Sequence, residues 1–403
     1  GMRRRRVKIT GIGPVTPAGI GRDEFWKGIL EPVSRVRPFA KLGEQYGPLV
    51  AAYMDSFDIG DYIDRTLLPK GAARHTLFAV AGSVLALQDA GLSREDFAAA
   101  NGAIVTGTSL MDFGGTISTI DAVHRRGVRG AQGRAVYTAN LASVPTALNE
   151  AFGMAARSMV IQSSCCSGLD AIGYSANLVA TGEVDMVICG GTEAPLHRCP
   201  LLELRATGLT PMTDEMPERL ARPFDLWRTT GVVSEGASMF LIEPESSPRR
   251  GYSYITGYAF ANDKPGDLCG GMAAAGKQAI ADARLRADQV DVINAWGPGH
   301  KLIDQMEAQA MKDLFQSHLA TIPAVSIKGS VGSPLGSAPA IQVATAALGH
   351  RFGMIPPTVN WDYADPACPL NLSNQPRSIG HAVTLINAHG LAGVNSSLIL
   401  ERC

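Results

Sequence analysis

The chain has 403 residues, which is enough for two or three domains or for one large layered architecture. Hydrophobic residues make up 46% of it and charged residues 18%, a composition that excludes a disordered chain. The 36 basic residues nearly balance the 37 acidic ones, so no net positive charge points to nucleic acid as a partner. No apolar run approaches the about 18 residues of a membrane-spanning helix, and we expect no membrane span.

Cysteine and histidine usage gives no sign of a disulfide framework or a metal site. The seven cysteines are an odd number, and no two of them stand in a Cys-x-x-Cys pair. The eight histidines do not accompany cysteines at metal-ligand spacings. We therefore expect no metal and a reducing compartment, the cytoplasm.

Strand-like runs alternate with helical patterns along the chain, which predicts an α/β fold. A strand is predicted over 7–12, ending in the turn signal Gly13-Pro14. An apolar helical pattern over 77–90 stops at Gly91, a residue type common just after a helix. Further strands are predicted over 103–106, 159–161, 184–189 and 292–295.

The order of elements repeats once. Ile9-Thr10-Gly11 opens one half and Ile255-Thr256-Gly257 the other, and each is followed by a helix, a strand and a Ser/Gly-rich turn before a helix of small residues. Two copies of one α/β unit explain this order, and we place them at residues 1–247 and 248–403.

Cys165 is the candidate nucleophile. It lies between the strand predicted over 159–161 and a helix whose apolar stripe runs from Leu169 to Val179. Unpaired backbone N–H groups and the helix dipole at this position stabilise a thiolate and offer a donor to an oxyanion. A small buried side chain without chemical function fits the same pattern, and these residues alone do not decide between the two.

Several further motifs stand in a fixed order along the chain: Ile9-Thr10-Gly11-Ile12-Gly13, Cys165–Ile172, Gly190-Gly191-Thr192-Glu193, Arg222–Asp225 with Ser234–Ala237, and Ile355–Thr358. In this order they resemble the β-ketoacyl-acyl carrier protein synthases of the thiolase-fold superfamily. The resemblance covers almost the whole chain. It is closest to the synthase II type and to the chain-length-factor subunits of type II polyketide systems.

The resemblance implies an α/β thiolase fold, with two duplicated halves in five layers, α-β-α-β-α. It implies that Cys165 takes an acyl chain from the phosphopantetheine thioester of an acyl carrier protein, with its own backbone N–H and that of His389 as oxyanion donors. Malonyl-carrier protein is then decarboxylated and extends the chain by two carbons. No cofactor is implied beyond the phosphopantetheine of the carrier. A homodimer, or a heterodimer with a second ketosynthase-family subunit, is expected because the family buries a sheet edge at its two-fold axis.

Both histidines that the family uses to stabilise the decarboxylating thioester are missing. In family register, Trp296 stands at the first position and Ser333 at the second, five residues after a retained Lys328. We expect Lys328 and Glu307 to organise the site, Glu307 as a structural hydrogen-bond partner of the Lys328 region. Removing one oxyanion donor costs about 2.7–4 kcal/mol in the transition state, so condensation is expected to be weak or absent.

The substrate gate departs from the family as well. His389 and Leu391 stand where the family has phenylalanines, and Thr230-Gly231 replaces part of an Asp-Gly-Phe motif. His389 is a candidate base for Cys165, or simply fills the space of the lost ring. His300 is a second candidate donor, or a solvated loop residue.

Three functions are open on these residues. The first is an acyltransferase that loads Cys165 and passes the chain to another acceptor. The second is a non-catalytic chain-length-factor-like subunit that pairs with an active ketosynthase; the missing histidines favour it and the retained Cys165 opposes it. The third is condensation with new donors, the Ser333 hydroxyl and the Trp296 indole N–H.

Overall fold

The computed structural model describes residues 4–267 and 270–403. Within them the strands are β1 (Val7–Thr16), β2 (Gly19–Ile20), β3 (Val36–Pro38), β4 (Val50–Ala52), β5 (Gly102–Gly107), β6 (Arg157–Ile161), β7 (Met186–Glu193), β8 (Gly236–Pro244), β9 (Ser253–Asn262), β10 (Val292–Asn294), β11 (Ala324–Val325), β12 (Met354–Ile355), β13 (Arg377–Ser378), β14 (Val383–Gly390) and β15 (Val394–Arg402). The α-helices are α1 (Arg22–Leu30), α2 (Arg74–Ala90), α3 (Arg94–Ala99), α4 (Phe113–Arg126), α5 (Ala135–Thr138), α6 (Ser143–Ala151), α7 (Ser167–Ala180), α8 (Arg198–Ala206), α9 (Gly270–Asp282), α10 (Lys301–Phe315), α11 (Lys328–Val331) and α12 (Ala338–Phe352).

One mixed sheet joins both halves of the chain, in the strand order β11-β10-β14-β15-β9-β1-β8-β7-β5-β6. The two halves have the same topology, because the first strand of each lies at the centre, its last strand comes next, and the three middle strands follow outward in the same order. The halves meet where β1 pairs with β9 over Lys8 and Ile9. The predicted duplication is confirmed.

The helices form three layers around the sheet. Helices α7 and α12 pack against each other and against strands of both half-sheets. Helices α2 and α6 cover the outer face of the N-terminal half, and α9 covers that of the C-terminal half with α10 beside it. The layers therefore alternate α-β-α-β-α, as the resemblance implies. Among the residues described, no helix is long and apolar enough to cross a bilayer.

The predicted turn at Gly13-Pro14 is wrong, since β1 continues through both residues to Thr16. The carbonyl of Pro14 accepts from Gly21 N, on the side away from β8. The backbone nitrogen of a strand residue faces the same side as its carbonyl, so the proline removes no hydrogen bond to β8. The helix predicted over 77–90 is present as α2, and Gly91 ends it with φ 75°.

Candidate active site

Cys165 lies on a tight turn between β6 and α7, as predicted. Ser164, just before it, has φ 57°, a left-handed conformation that side chains with a Cβ seldom adopt. Hydrogen bonds within the turn hold this conformation: Ser167 Oγ donates to Ser164 O, and Ser163 N donates to Ser167 Oγ at 3.0 Å. The turn therefore fixes the direction in which the Cys165 side chain leaves the backbone.

Glycines let the N-terminus of α7 sit close to the sheet. A Cβ on Gly107, at the end of β5, would lie 2.2 Å from the Ser167 carbonyl oxygen. A Cβ on Gly168 would lie 2.7 Å from Gly336 O, and one on Gly191 would lie 2.9 Å from the Gly168 Cα. Four chain segments thus converge at the elbow with backbone against backbone.

The surroundings of the Cys165 thiol favour its protonated form at neutral pH. Burial and, to a smaller extent, the Glu193 carboxylate raise the pKa of this thiol, the Lys328 ammonium partly offsets them, and the resulting pKa is about 11. Desolvation of the sulfur therefore opposes the stabilisation of a thiolate that we expect from the helix N-terminus. A base that removes the thiol proton as the sulfur attacks would overcome the raised pKa.

A cavity of about 80 Å³ opens at Cys165 and is mostly apolar. Leucine, isoleucine and valine side chains from four segments supply the apolar lining: Leu204, Leu209, Val233, Ile303 and Leu335. The cavity also brings together most of the site residues predicted from the sequence, namely Cys165, His389, Leu391, Thr230, Gly231, Trp296, Ser333 and His300.

Lys328 and Glu307 hold the backbone of Trp296 from two sides. Lys328 Nζ donates to Trp296 O at 2.5 Å and lies 3.0 Å from the centre of the indole ring. Glu307 accepts from Trp296 N and Gly297 N, both at 2.7 Å, and from Asn387 Nδ2 at 3.0 Å. Burial lowers the pKa of Lys328 and raises that of Glu307, while their mutual attraction opposes both shifts. The pair positions Trp296 at the wall of the cavity.

Ser333 and Trp296 each present an unused donor at this wall. The Ser333 hydroxyl is buried and has no hydrogen-bond partner among the described residues, while its backbone N–H donates to Val232 O at 2.7 Å. The Trp296 indole N–H makes no hydrogen bond within the described residues. Neither group supplies the ring nitrogen of the histidine that the family has at its position.

His389 lies near the end of β14, beside the elbow. A Cβ on the next residue, Gly390, would lie 3.0 Å from the Ser164 side chain. The His389 Nδ1 is 2.8 Å from Asn395 Oδ1, and no hydrogen bond between the His389 imidazole and the Cys165 thiol is present in the described part of the chain. The two side chains line the same cavity.

His300 is not the solvated loop residue that we considered from the sequence. It is the N-cap residue of α10, and its Nδ1 accepts from Leu302 N at 3.2 Å and Ile303 N at 3.3 Å. Burial lowers the pKa of His300. It is a half-buried helix cap rather than a solvated loop residue.

Asn395, which contacts His389 across the β14–β15 hairpin, is not among the site residues predicted from the sequence. The two residues are six apart in sequence, and no spacing rule for helices or strands links them. Ala392 and Gly393 form the turn of this hairpin, with φ of 70° and 79°. In the sequence, Gly393 is the residue type that signals such a turn. With that hairpin in register, His389 and Asn395 lie directly opposite each other.

Comparisons with known proteins agree with this geometry. The model of the beta-ketoacyl synthase N-terminal domain matches residues 4–247, and that of the C-terminal domain matches residues 252–362. A putative polyketide beta-ketoacyl synthase 1 of Streptomyces virginiae is 31% identical over 99% of this chain and 98% of its own. The 3-oxoacyl-(acyl-carrier-protein) synthase 2 of Coxiella burnetii is 28% identical over 100% of this chain and 99% of its own.

A solved structure, the ishigamide ketosynthase/chain length factor, has the same fold throughout. It superimposes with a TM-score of 0.92 at 26% identity, over 99% of this chain and 100% of that one. The shared fold, the two matched domain models and the full-length similarity lead to one conclusion: the chain belongs to the β-ketoacyl synthase family.

Proposed function

We propose that this protein accepts an acyl group from an acyl-carrier thioester on Cys165 and passes it to a second acceptor, with little or no condensation. The observation that carries the proposal is the composition of the Cys165 cavity. It contains a cysteine and an imidazole, His389, but tryptophan and serine at the two positions where the family has histidines. The Coxiella relative is named for acyl carrier protein, which supports a carrier as the donor.

The proposed reaction has two balanced halves. In the first, the Cys165 sulfur attacks the carbonyl carbon of the carrier thioester while His389 takes the thiol proton. The new C–S bond forms, the bond to the phosphopantetheine sulfur breaks, and the imidazolium returns the proton to that sulfur. In the second half, the acceptor gives its proton to the same imidazole and attacks the carbonyl carbon of the acyl-cysteine. The bond between this carbon and Cys165 Sγ breaks, and the imidazolium returns the proton to Sγ.

Each half of the proposed reaction forms an oxyanion. This oxyanion needs hydrogen-bond donors other than the two family histidines. We propose the backbone N–H groups of Cys165 and His389 for this role, with Lys328 and Glu307 organising the wall through Trp296. Decarboxylation of a malonyl thioester is different, because it depends on the two lost imidazoles. With each donor worth about 10²–10³-fold in rate, the serine and indole donors are a poor substitute.

A chain-length-factor-like subunit is the alternative, in which the chain shapes the acyl tunnel of an active ketosynthase partner. Two observations favour it: the missing histidines, and the similarity to a structure whose title names a ketosynthase/chain length factor. Under this alternative Cys165 has no acyl-accepting role, so its acylation separates the two functions.

We further propose that the protein acts as a homodimer, or as a heterodimer with a second ketosynthase-family subunit, and that its halves divide at residues 247 and 248, between β8 and β9. We place it in the cytoplasm; the six cysteines in the described part of the chain are free, as a reducing compartment requires.

Acyl exchange between two carrier proteins tests the proposal. The protein is incubated with an acyl-loaded carrier and a second, tagged carrier in its free-thiol form, and the acyl group on the tagged carrier is measured over time. We expect transfer by the wild type and none by Cys165→Ala. Equal transfer by both proteins contradicts the proposal, and transfer by neither leaves the subunit function as the better account.

A further inference from the structure

The hydrogen bonds around Asn395 fix which way its amide points. Its Nδ2 group donates to three oxygens that are only acceptors: Asp263 Oδ1 at 2.9 Å, Ala261 O at 3.2 Å and Gly393 O at 3.3 Å. A flipped amide would place an oxygen against all three. The nitrogen therefore faces Asp263, and the Oδ1 atom faces His389.

This orientation determines the tautomer of His389. The amide oxygen of Asn395 is 2.8 Å from His389 Nδ1 and accepts a hydrogen bond, so Nδ1 carries the proton. In the neutral ring, Nε2 then has the free lone pair. No hydrogen bond to Nε2 is present in the described residues, and the ring lines the cavity that contains Cys165.

Asp263 and the hairpin hold Asn395 in place. Asp263 Oδ1 accepts from both Asn395 Nδ2 and Gly271 N, the latter at 3.1 Å. Asn395 itself is buried, and it lies opposite His389 in the register of β14 and β15. The amide is thus fixed on both sides, by a carboxylate from the end of β9 and by the strand pair itself.

We propose that Asn395, held by Asp263, is a positioning residue that keeps His389 in the tautomer able to take the Cys165 proton. The inference rests on the acyl transfer proposed above, since it names how the base of that reaction is prepared. A high thiol pKa makes this preparation necessary, because little thiolate exists at neutral pH without a base. The wrong tautomer would present an N–H instead of a lone pair to the thiol.

The absence of a hydrogen bond between the Cys165 sulfur and the His389 imidazole within the described residues is compatible with this role. Catalytic hydrogen bonds are often long in unliganded proteins and shorten only in the substrate complex. His389 is placed for such a movement because its strand contacts the residue that precedes the nucleophile.

Alkylation of Cys165 by iodoacetamide tests the inference without any acyl donor. The rate is followed over a pH series by mass spectrometry of the peptide that contains Cys165. Loss of the correct tautomer costs up to about 10⁴-fold in a Ser–His–Asp triad, and we expect His389→Ala and Asn395→Ala each to slow the neutral-pH reaction by at least about tenfold. The double variant is expected to be no slower than His389→Ala alone.

Ser397→Ala is the matched control. Ser397 lies on the same strand and face as Asn395, is fully buried, and its hydroxyl has no hydrogen-bond partner in the part of the chain that the structure describes. We expect its alkylation rates to equal those of the wild type. Additive effects of His389→Ala and Asn395→Ala, or a wild-type rate in Asn395→Ala, overturn the inference.

A spectroscopic measurement covers the case in which Asn395→Ala does not fold. In the wild-type protein with ¹⁵N-labelled histidine, the two ring nitrogens of His389 are assigned by comparison with His389→Ala. We expect a protonated Nδ1 and an unprotonated Nε2, and the opposite tautomer overturns the inference. If the alkylation and tautomer results hold but no carrier transfers its acyl group, the proposed function fails and the positioning of His389 stands.

Discussion

At the scale of single residues, Cys165 lines the same cavity as Trp296 and Ser333, which stand at the two positions where the family resemblance implies histidines. Trp296 is held by Lys328 and Glu307, and Ser333 is held by backbone hydrogen bonds. Both replacements are therefore rigid parts of the wall. Their rigidity makes them suitable positions at which to restore the lost donors.

Restoring both histidines should restore decarboxylation. We expect the variant Trp296→His/Ser333→His to decarboxylate malonyl-carrier protein at least about 100-fold faster than the wild type, because each donor is worth about 10²–10³-fold. Release of CO₂ measures the rate. Trp296→Ala/Ser333→Ala, which removes the indole without supplying imidazoles, is the control and should stay slow. Fast decarboxylation by the wild type itself would show that the present donors suffice.

We expect the buried carboxylate of Glu307 to contribute strongly to the stability of the fold. Glu307→Ala leaves the N–H groups of Trp296 and Gly297 unpaired and removes the buried negative charge that favours the Lys328 ammonium. We expect a loss of about 3–5 kcal/mol in the free energy of unfolding, measured in urea. Gln309→Ala, on the exposed side of the same helix, should change it by less than about 0.5 kcal/mol. An equally small effect of Glu307→Ala would contradict the clamp described for Trp296.

At the scale of elements, glycines decide where helix α7 can sit. Gly107 in β5 contacts the first turn of α7, and Gly13 in β1 contacts α2 in the same way, with a Cβ predicted 1.8 Å from Gly82 O. The two contacts are equivalent in packing. Only the first of them supports the elbow that carries Cys165.

This difference gives a paired prediction. Gly107→Ala and Gly13→Ala should each lower the free energy of unfolding by about 3 kcal/mol, because a methyl group against backbone forces the helix away. Only Gly107→Ala should also slow alkylation of Cys165 in the folded protein. Gly380→Ala, where a Cβ meets nothing within 4 Å, is the neutral control. Equal alkylation rates in all three variants would mean that the position of α7 does not set the elbow.

The elements also show how far the sequence can predict the structure. Helix α2 can be predicted because its apolar pattern and Gly91 lie in one short segment. The duplicated halves can be predicted because the same order of locally recognisable elements occurs twice. The path of β1 does not, since a Gly-Pro pair indicates a turn unless the neighbouring strands are known. The tautomer of His389 depends on the β14–β15 register and on Asp263, and the clamp on Trp296 depends on Lys328 and Glu307, so local spacing cannot reveal either of them.

At the scale of the whole molecule, the N-terminal half leaves surface that a second subunit can cover. Strand β6 ends the sheet, has β5 as its only sheet neighbour in the described structure, and is exposed over 157–159. The segment between β5 and β6 in the same half carries four exposed apolar side chains, those of Ile120, Val128, Val136 and Tyr137. Unpaired edges and apolar side chains of this kind are typical of subunit contacts.

A charge on this surface should weaken the assembly. We expect Val136→Glu to raise the dissociation constant of the dimer by at least about tenfold, because an unpaired carboxylate is costly to bury at an interface. Sedimentation or light scattering over a concentration series measures it. Phe260→Glu, an exposed apolar position on β9, is the matched control and should leave the dimer intact. A protein that stays monomeric, alone and with an intact ketosynthase subunit, would contradict the expected dimer.

Intact-protein mass spectrometry tests the central claim most directly. The protein is incubated with a panel of acyl-loaded carriers, with and without malonyl-carrier protein, beside Cys165→Ala. The account predicts an acyl adduct on Cys165 for at least one chain, absent in Cys165→Ala and not consumed to a longer β-ketoacyl product when malonyl-carrier protein is added. Extension by two carbons at a rate typical of condensing enzymes, or no adduct with any chain, would contradict it.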